Sequence, residues 1–391
     1  MEPADLVQSS ISVLRSLQTP QGGFLSTYHY DAYPYVYIRD AIFMAKAMDL
    51  LGHHRPAERF YEFLFRIQAK AGSWRQRYSA DGMPHISRPR ETDVMGLALH
   101  GIFVHYKITQ DKRFPRKYWP SIRRGIAHLR DMTEAGLITS LHSVHEYKRL
   151  EAGYEIWCNC ACVRGLANIA KIAAELGMEK EAEKLRKWAY DLRLAVLQRF
   201  WDPRHKIWAK CIKEEGFLIE SPDISQIAPL YFNLTRRHPQ ILQKIYKILW
   251  YNKLGGILRF RKFEGCTDWH WYTGGHGPWT VFTLQLARTA HRFGMRSLTK
   301  RCLDWVHKIQ LRGWLPEHIA MRSEYEEWAA HERRLSSRVK QGIARARAIS
   351  PPKVMYWATP LGWAHAEYLL TMLELGKIKP VIKWRFDELW I

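Results

Sequence analysis

The stretch DAYPYVYIRDAIFMAKAMDLLGHHRPAERFYEFLFRIQ, residues 31–68, decides the fold. A tyrosine-rich loop runs into a segment, beginning near Asp40, that is apolar or small almost all round. A short link around 52–56 then leads into a segment with Phe60, Phe63, Leu64 and Ile67 at helical spacing. A helix that is apolar on every face must be buried, whereas one with a single apolar stripe lies against a core and faces water on its other side. The stretch therefore reads as a long loop, an inner helix, a tight connection and an outer helix.

The same order recurs along the 391 residues. Periodic segments between turn signals predict about twelve helices, near 4–18, 40–52, 56–70, 93–109, 116–133, 157–176, 179–200, 223–233, 238–250, 278–293, 295–310 and 361–375. Those beginning near Asp40, Asp93, Trp157 and Leu361 are the buried kind. The helices between them are outer, such as 179–200 with Ala182, Leu185, Trp188, Ala189 and Leu192 on one face and Lys, Glu and Arg on the other. Links after a buried helix are short, and links before one are long, at 19–36, 71–91, 134–156, 251–277 and 311–360. Six alternations with all inner helices parallel describe an all-α closed ring of six helical hairpins, an (α/α)6 barrel. It is expected to be a single domain over 1–391 with every long loop at one rim.

Composition narrows the setting. With 47% hydrophobic and 25% charged residues the chain is a folded globular protein. It has no run of 18 apolar residues and its first residues lack the pattern of a secretion signal, so a cytoplasmic protein off the membrane is expected. Six cysteines, three of them at Cys158, Cys160 and Cys162, match neither a disulfide framework nor a zinc pattern and read as buried thiols. The net charge of +22 would attract polyanions, but the basic residues are scattered through helical segments, without a basic arm or a nucleic-acid-binding motif. Nucleic acid is therefore not the expected partner.

Loops over a rigid scaffold are where chemistry concentrates. DAYPYVYIRD precedes the first inner helix, RPRETD the second, HEYKRLEAGYEIW the third, SPD the fourth, WHWYTGGHGPW the fifth and GWLPEH, farther off, the sixth. The rim so formed holds Asp40, Asp93, Glu146 and Glu317, Arg39 beside Asp40, and the rings of Tyr33, Tyr35, Tyr37, Trp74, Trp157, Trp269 and Trp271. Such a set suits a sugar, whose CH face packs on aromatic rings while its hydroxyls need carboxylate and guanidinium partners. Cleaving a glycosidic bond takes one protonated carboxyl for the leaving oxygen and one ionised carboxyl that attacks or activates water.

Tyr33 to Asp40, YPYVYIRD, resembles the Tyr-x-Tyr-x-Trp-x-Arg-Asp motif of the glucoamylase-type glycoside hydrolases, family 15. An acidic loop at Glu146, GGHGPW at 274–279, LPEH at 315–318 and PLGWAHAEY at 360–368 follow in the family's order, the last resembling Pro-Leu-x-Trp-Ser-His-Ala-Glu. The resemblance covers about residues 20–375 and corresponds to a catalytic domain alone. It implies the six-hairpin fold, inverting exo-hydrolysis of α-glucosidic oligosaccharides or disaccharides, and no cofactor or metal. By it Glu317 is the general base, Glu146 the general acid, and Arg39 and Asp40 the clamp on the terminal sugar. Tyr33 helps position water and Trp157 or Trp279 wall the pocket, with Tyr35, Tyr37, Trp74, Asp93 and His365 completing the expected substrate-binding set.

The chain departs from the family at Tyr37 for Trp, His145 for Trp, His318 for Gln and Ala364 for Ser, and TDWHWYTGG stands where Arg-Tyr and Asp-x-Tyr are expected. These changes leave the linkage and the sugar open. The stretch Ser323–Lys353 is longer than the family needs and reads as an inserted helix ending before Pro351-Pro352, either lying over the pocket mouth or solvated without a role. Simpler readings stand beside the sharp ones. Asp40, Asp93 and Asp223 sit where helix N-caps sit, Arg39-Asp40 suits a structural ion pair, Glu151 and Glu155 rival Glu146, and His365 suits a buried hydrogen-bonding role. Functional alternatives are a trehalase- or isomaltose-type disaccharide hydrolase, another six-hairpin glycosidase, and a non-catalytic sugar-binding, regulatory or polyanion-binding protein.

Overall fold

The helical periods become two concentric rows of helices in the computed structural model, which describes residues 3–85, 91–147, 152–213, 218–219, 222–262, 266, 271, 276–331 and 335–381. In chain order the helices are α1 (Pro3–Ser16), α2 (Ile38–Leu50), α3 (His54–Arg66), α4 (Asp93–Thr109), α5 (Arg113–Asp131), α6 (Ile156–Glu175) and α7 (Glu179–Arg199). A 3-10 turn, Ile224–Ile227, runs into the single-turn α8 (Ala228–Tyr231). Then come α9 (Gln240–Leu249), α10 (Thr280–Arg292), α11 (Arg296–Ile309), α12 (Arg322–His331), α13 (Ser337–Ile349) and α14 (Gly362–Glu374).

The inner row is α2, α4, α6, α8, α10 and α14, each touching the next, and α14 packs back on α2 to close the ring. Every residue of α2 is buried. Outside it, α3 buries one stripe, with Phe60, Tyr61, Phe63 and Leu64 among its members, and turns its charged face to water. Inner helices α2, α4, α6 and α10 each pair with the outer helix that follows, α14, last in the chain, pairs with α1, the first, and in the fourth hairpin the outer α9 packs on the 3-10 turn that leads into α8. This is the six-hairpin ring that the periodicity predicts.

Helices this crowded need small residues where they cross. A Cβ on Gly96 of α4 would stand 2.4 Å from the backbone of Ala161 and Cys162 in α6, and one on Gly165 would stand 2.4 Å from the Gly96 carbonyl oxygen. The ring interior also holds charge. Arg288 of α10 pairs with Glu367 of α14 at 2.7 Å, both fully buried, and donates to the Tyr231 hydroxyl of α8. Lys46 of α2 is buried beside them, and burial with Arg288 nearby holds its pKa well below the ordinary lysine value.

Two features depart from the nearly all-helical reading. The long loops contain short strands, of which the largest group is a four-stranded antiparallel sheet of β1 (Ile257–Leu258), β2 (Pro278–Trp279), β3 (His318–Met321) and β4 (Val354–Trp357), in that order. Segments of two to four residues are too short to show a period, so the sequence does not signal them. The 323–353 stretch, read as one helix, forms two, with the Ser336 hydroxyl accepting from Val339 N–H to cap the second. Among the described residues no helix is long and apolar enough to cross a membrane.

The crossing of α4 and α6 makes a direct stability prediction. Gly96→Ala is expected to destabilise the fold by about 2–3 kcal/mol or more through overpacking against rigid backbone, measured by denaturant unfolding; an unchanged midpoint would show that the two helices separate freely.

Candidate active site

The rim end of the inner ring encloses a cavity of about 180 Å³, with Asp40, Glu146, Glu317, Arg259, Trp279 and Trp363 among its walls. That is small beside the roughly 300–1,000 Å³ of sites for drug-sized ligands. Its inner end is built from buried residues at the starts of α2 and α14: Asp40, Leu361 and Trp363, with Ser26 beside them. Half-buried Glu146, Tyr147 and Val339 form its outer end.

Val36–Tyr37 pairs as a short strand with Arg77–Tyr78 and feeds directly into α2, whose N-cap is Tyr37 without a side-chain cap bond. Asp40 therefore has no capping duty. Its Oδ2 accepts from the Ser26 hydroxyl at 2.6 Å, and burial pushes its pKa up to about 7. Arg39, one residue earlier, points behind the pocket wall. Its Nε lies 2.8 Å from Asp93, its Nη2 donates to Glu91 at 2.6 Å and to the Ser143 carbonyl at 2.8 Å, and its Nη1 stands 3.6 Å from Glu146.

Glu146 itself has φ of 57°, in the left-handed region that few residues other than glycine adopt. Such conformations persist where surrounding contacts impose them, and they gather at functional sites. The Glu146 N–H bonds the Ser143 carbonyl, the same oxygen that Arg39 holds. Behind it His145 lies 3.2 Å from Asp223, whose carboxylate caps the 3-10 turn in a capping box and is drawn down to about 2 by His145 and Lys210 against its burial. Glu155 is the N-cap of α6, accepting from Trp157 and Cys158 N–H at 2.9 and 2.6 Å. Of the two rivals to Glu146, Glu155 is thus occupied with capping and Glu151 lies outside the described residues.

The opposite wall is the four-stranded sheet. Ile257, Trp279, His318 and Trp357 stand in one register across it, and Glu317 precedes β3 with its N–H bonded to the Trp357 carbonyl at 3.0 Å. His318 stacks on Trp279 with centroids 5.1 Å apart. Burial holds His318 down to about 3, hence neutral, with Nδ1 3.3 Å from Glu317 Oε2. Burial pushes Glu317 well above the usual carboxyl range and Glu146 adds to this, while the Arg259 guanidinium pulls the other way. Arg259 lies 4.7 Å over the Trp279 ring and donates to the Val144 carbonyl next to Glu146's loop. The Trp357 indole donates to the Tyr33 hydroxyl at 2.9 Å.

Comparison with known proteins places this geometry. Residues 144–248 match a family model described as the mannosylglycerate hydrolase MGH1-like glycoside hydrolase domain. Over 398 aligned residues, 95% of the chain, the sequence is 26% identical to an uncharacterized glycosyl hydrolase of Methanocaldococcus jannaschii, and it spans 56% of that relative's length. A glycosidase variant solved in complex with glucose superposes with a TM-score of 0.72 at 19% identity, over 96% of this chain and 98% of the other. A glucoamylase from Saccharomycopsis fibuligera superposes with a TM-score of 0.68 at 12% identity, over 96% and 94%. The fold is that of the glucoamylase-type glycoside hydrolases.

Within this glucoamylase-type fold, the expected residues divide. Tyr33, Tyr37, Asp40, Glu146, Trp279 and Glu317 meet at the pocket. The others do not line it. Arg39 and Asp93 form the ion pair behind it. The Trp157 indole donates to Asp93 and stacks on Tyr231 in the core, and the Trp74 indole donates to the Leu64 carbonyl. Tyr35 lies beside His85 with Arg77 over its ring. His365 is structural: Nε2 accepts from Leu315 N–H at 3.0 Å, so Nδ1–H donates to Ser10 at 2.8 Å, tying α1 and α14 to the loop that carries Glu317. Trp269 lies outside the described residues.

Sequence reading missed Arg259, Trp357 and Trp363. Arg259-Phe260 supplies an arginine before the fifth inner helix, eight residues ahead of where TDWHWYTGG begins, and Trp363 stood inside the quoted PLGWAHAEY motif. Trp357 had no motif to mark it.

Asp40 gives a pH prediction. Its folded pKa of about 7 lies above an ordinary unfolded carboxyl near 3.9, so the folded state holds the extra proton between these values and stability falls as pH rises through that window. Asp40→Asn, which keeps an acceptor for Ser26, is expected to flatten this fall and to raise stability at pH 8 by up to something on the order of 4 kcal/mol, with little difference at pH 4. Thermal melts against pH read this, and parallel wild-type and variant curves would show Asp40 ionised throughout.

Proposed function

We propose that the protein is an inverting, exo-acting glycoside hydrolase that releases glucose from α-glucosidic disaccharides or short oligosaccharides, with Glu146 as general acid and Glu317 as general base. The observation that carries this reading is that two carboxyls from separate long loops line one pocket with a third carboxyl, buried Asp40. In the reaction, Glu317 takes a proton from a water that attacks the anomeric carbon. The bond to the glycosidic oxygen breaks, and Glu146 delivers a proton to that oxygen. Asp40 and Arg259 bind hydroxyls of the terminal sugar, and the Trp279 and Trp363 rings accept its CH faces. Buried free thiols at Cys158, Cys160, Cys162 and Cys302 suit a cytoplasmic setting.

The placement of the two roles follows exposure. A leaving group departs toward the mouth, where Glu146 is 28% exposed, while Glu317 is 12% exposed. The raised pKa of Glu317 favours the reverse assignment, with Glu317 as acid. An α-glucosyl fluoride separates them, because fluoride leaves without a proton and a variant lacking only the acid retains activity on it.

The expected outcome is that Glu146→Gln and Glu317→Gln each lose about 10³-fold or more in kcat on α-linked disaccharides, that Glu146→Gln keeps activity on the fluoride, and that NMR detects the β-anomer of the sugar first. Retention of the fluoride activity by Glu317→Gln instead would exchange the roles, and the α-anomer first would overturn inversion. The substrate panel extends to mannosylglycerate, after the description of the matching family model; hydrolysis of that compound alone would correct the sugar.

A further inference from the structure

We propose that α12 and α13 form a fixed cap that limits the length of substrate admitted, with Val339 as the stop at the pocket mouth and Arg345 as the latch that holds the cap down. The inference rests on the hydrolase reading and adds to it a determinant of chain length.

Strands β3 and β4 pair from His318↔Trp357 to Met321↔Val354 as the two arms of a hairpin. Hairpin connections ordinarily need about two to five residues, yet here residues 322–353 intervene and include two helices. The excursion is not left in solvent. Tyr325 and Trp328 of α12 and Ile343 and Ala346 of α13 build a second apolar core with Ala32 and Trp357. A Cβ on Gly342 would stand 2.8 Å from that of Ala32 and 3.0 Å from the Trp357 ring, so α13 is seated directly on the rim loop and on a pocket wall. Trp357 thus supports the cap and, through its indole N–H, holds Tyr33.

An ion pair between half-buried Arg345 and buried Asp31 also fastens the cap. Arg345 Nε donates to Asp31 Oδ2 at 2.9 Å and Nη2 donates to the Thr359 carbonyl at 3.2 Å, with the guanidinium 4.3 Å over the Tyr30 ring. Asp31 is 2% exposed and also accepts from the Ala32 and Thr359 N–H groups. Breaking the pair would leave that carboxylate buried without its cation, which makes the latch costly to open. Seated this way, α13 presents Val339 to the pocket at its half-buried end, beside Glu146 and Tyr147. A chain whose terminal sugar reaches Asp40 must pass Val339 with its next units.

The test compares kcat/KM on an α-linked glucose disaccharide, trisaccharide and hexasaccharide for the wild type, Val339→Ala, Arg345→Ala and Arg345→Lys. The wild type is expected to favour the disaccharide over the hexasaccharide at least tenfold. Val339→Ala and Arg345→Ala are each expected to narrow that ratio at least fivefold, with Arg345→Lys restoring most of it. A wild type that prefers the hexasaccharide, or a ratio that neither alanine variant moves, overturns the cap while leaving hydrolysis intact. A wild type that neither cleaves nor, by NMR, binds any of the three overturns the hydrolase reading and the cap together.

Discussion

The guanidinium of Arg39 is the constraint on which the pocket depends. It leaves α2, takes Asp93 of α4 on Nε and Glu91 on Nη2, binds the carbonyl of Ser143, and faces Glu146. Asp93 in turn accepts from the Trp157 indole of α6. One buried cation therefore sets the mutual position of three inner helices and the loop that carries Glu146. A buried arginine must find an acceptor for each of its donors, and here those acceptors come from distant parts of the chain. The Ser143 carbonyl that Arg39 holds also accepts from the N–H of Glu146, where the backbone is left-handed.

The opposite side of the pocket is governed by backbone pairing. Glu317 is placed by a strand whose neighbours bring Trp279 on one side and Trp357 on the other. His365 fixes the approach to that strand by accepting from Leu315 N–H. The two proposed catalytic carboxyls thus rest on different kinds of support, a buried ion network for Glu146 and a hydrogen-bonded sheet for Glu317. Both supports are anchored to the inner ring.

The ring interior carries charge beneath the pocket without opening to it. Arg288 with Glu367, and Arg292 with Glu374, join α10 and α14 by ion pairs. Glu367 belongs to the motif that includes His365, so part of what the resemblance marked as a site sequence serves the joint between helices. The same distinction applies to Asp93 and Trp157. They stand at the rim in sequence, but the Asp93 carboxylate is taken by Arg39 and the Trp157 indole by Asp93 before either can reach a ligand. Acidic and aromatic residues near the pocket therefore sort into two groups, according to whether a buried partner has already taken them.

The number of hairpins, the choice of inner and outer helices and the end at which the loops gather were determined by the sequence alone. Each is encoded locally, in the 3.6-residue period of one helix and in the difference between an all-round and a one-sided apolar pattern. Asp40 and Glu317 were legible for a related reason, since each sits in a rim motif of its own, whereas Glu146 was picked from three glutamates of one loop by the family resemblance alone. Only the tertiary structure decided that Arg39 turns away from the pocket, that Arg259, Trp357 and Trp363 enter it, and that the 323–353 stretch folds as two packed helices. These outcomes depend on pairings across the whole chain, such as Trp357 with Tyr33, 324 residues apart. Trp357 itself lies in a strand too short to show any period.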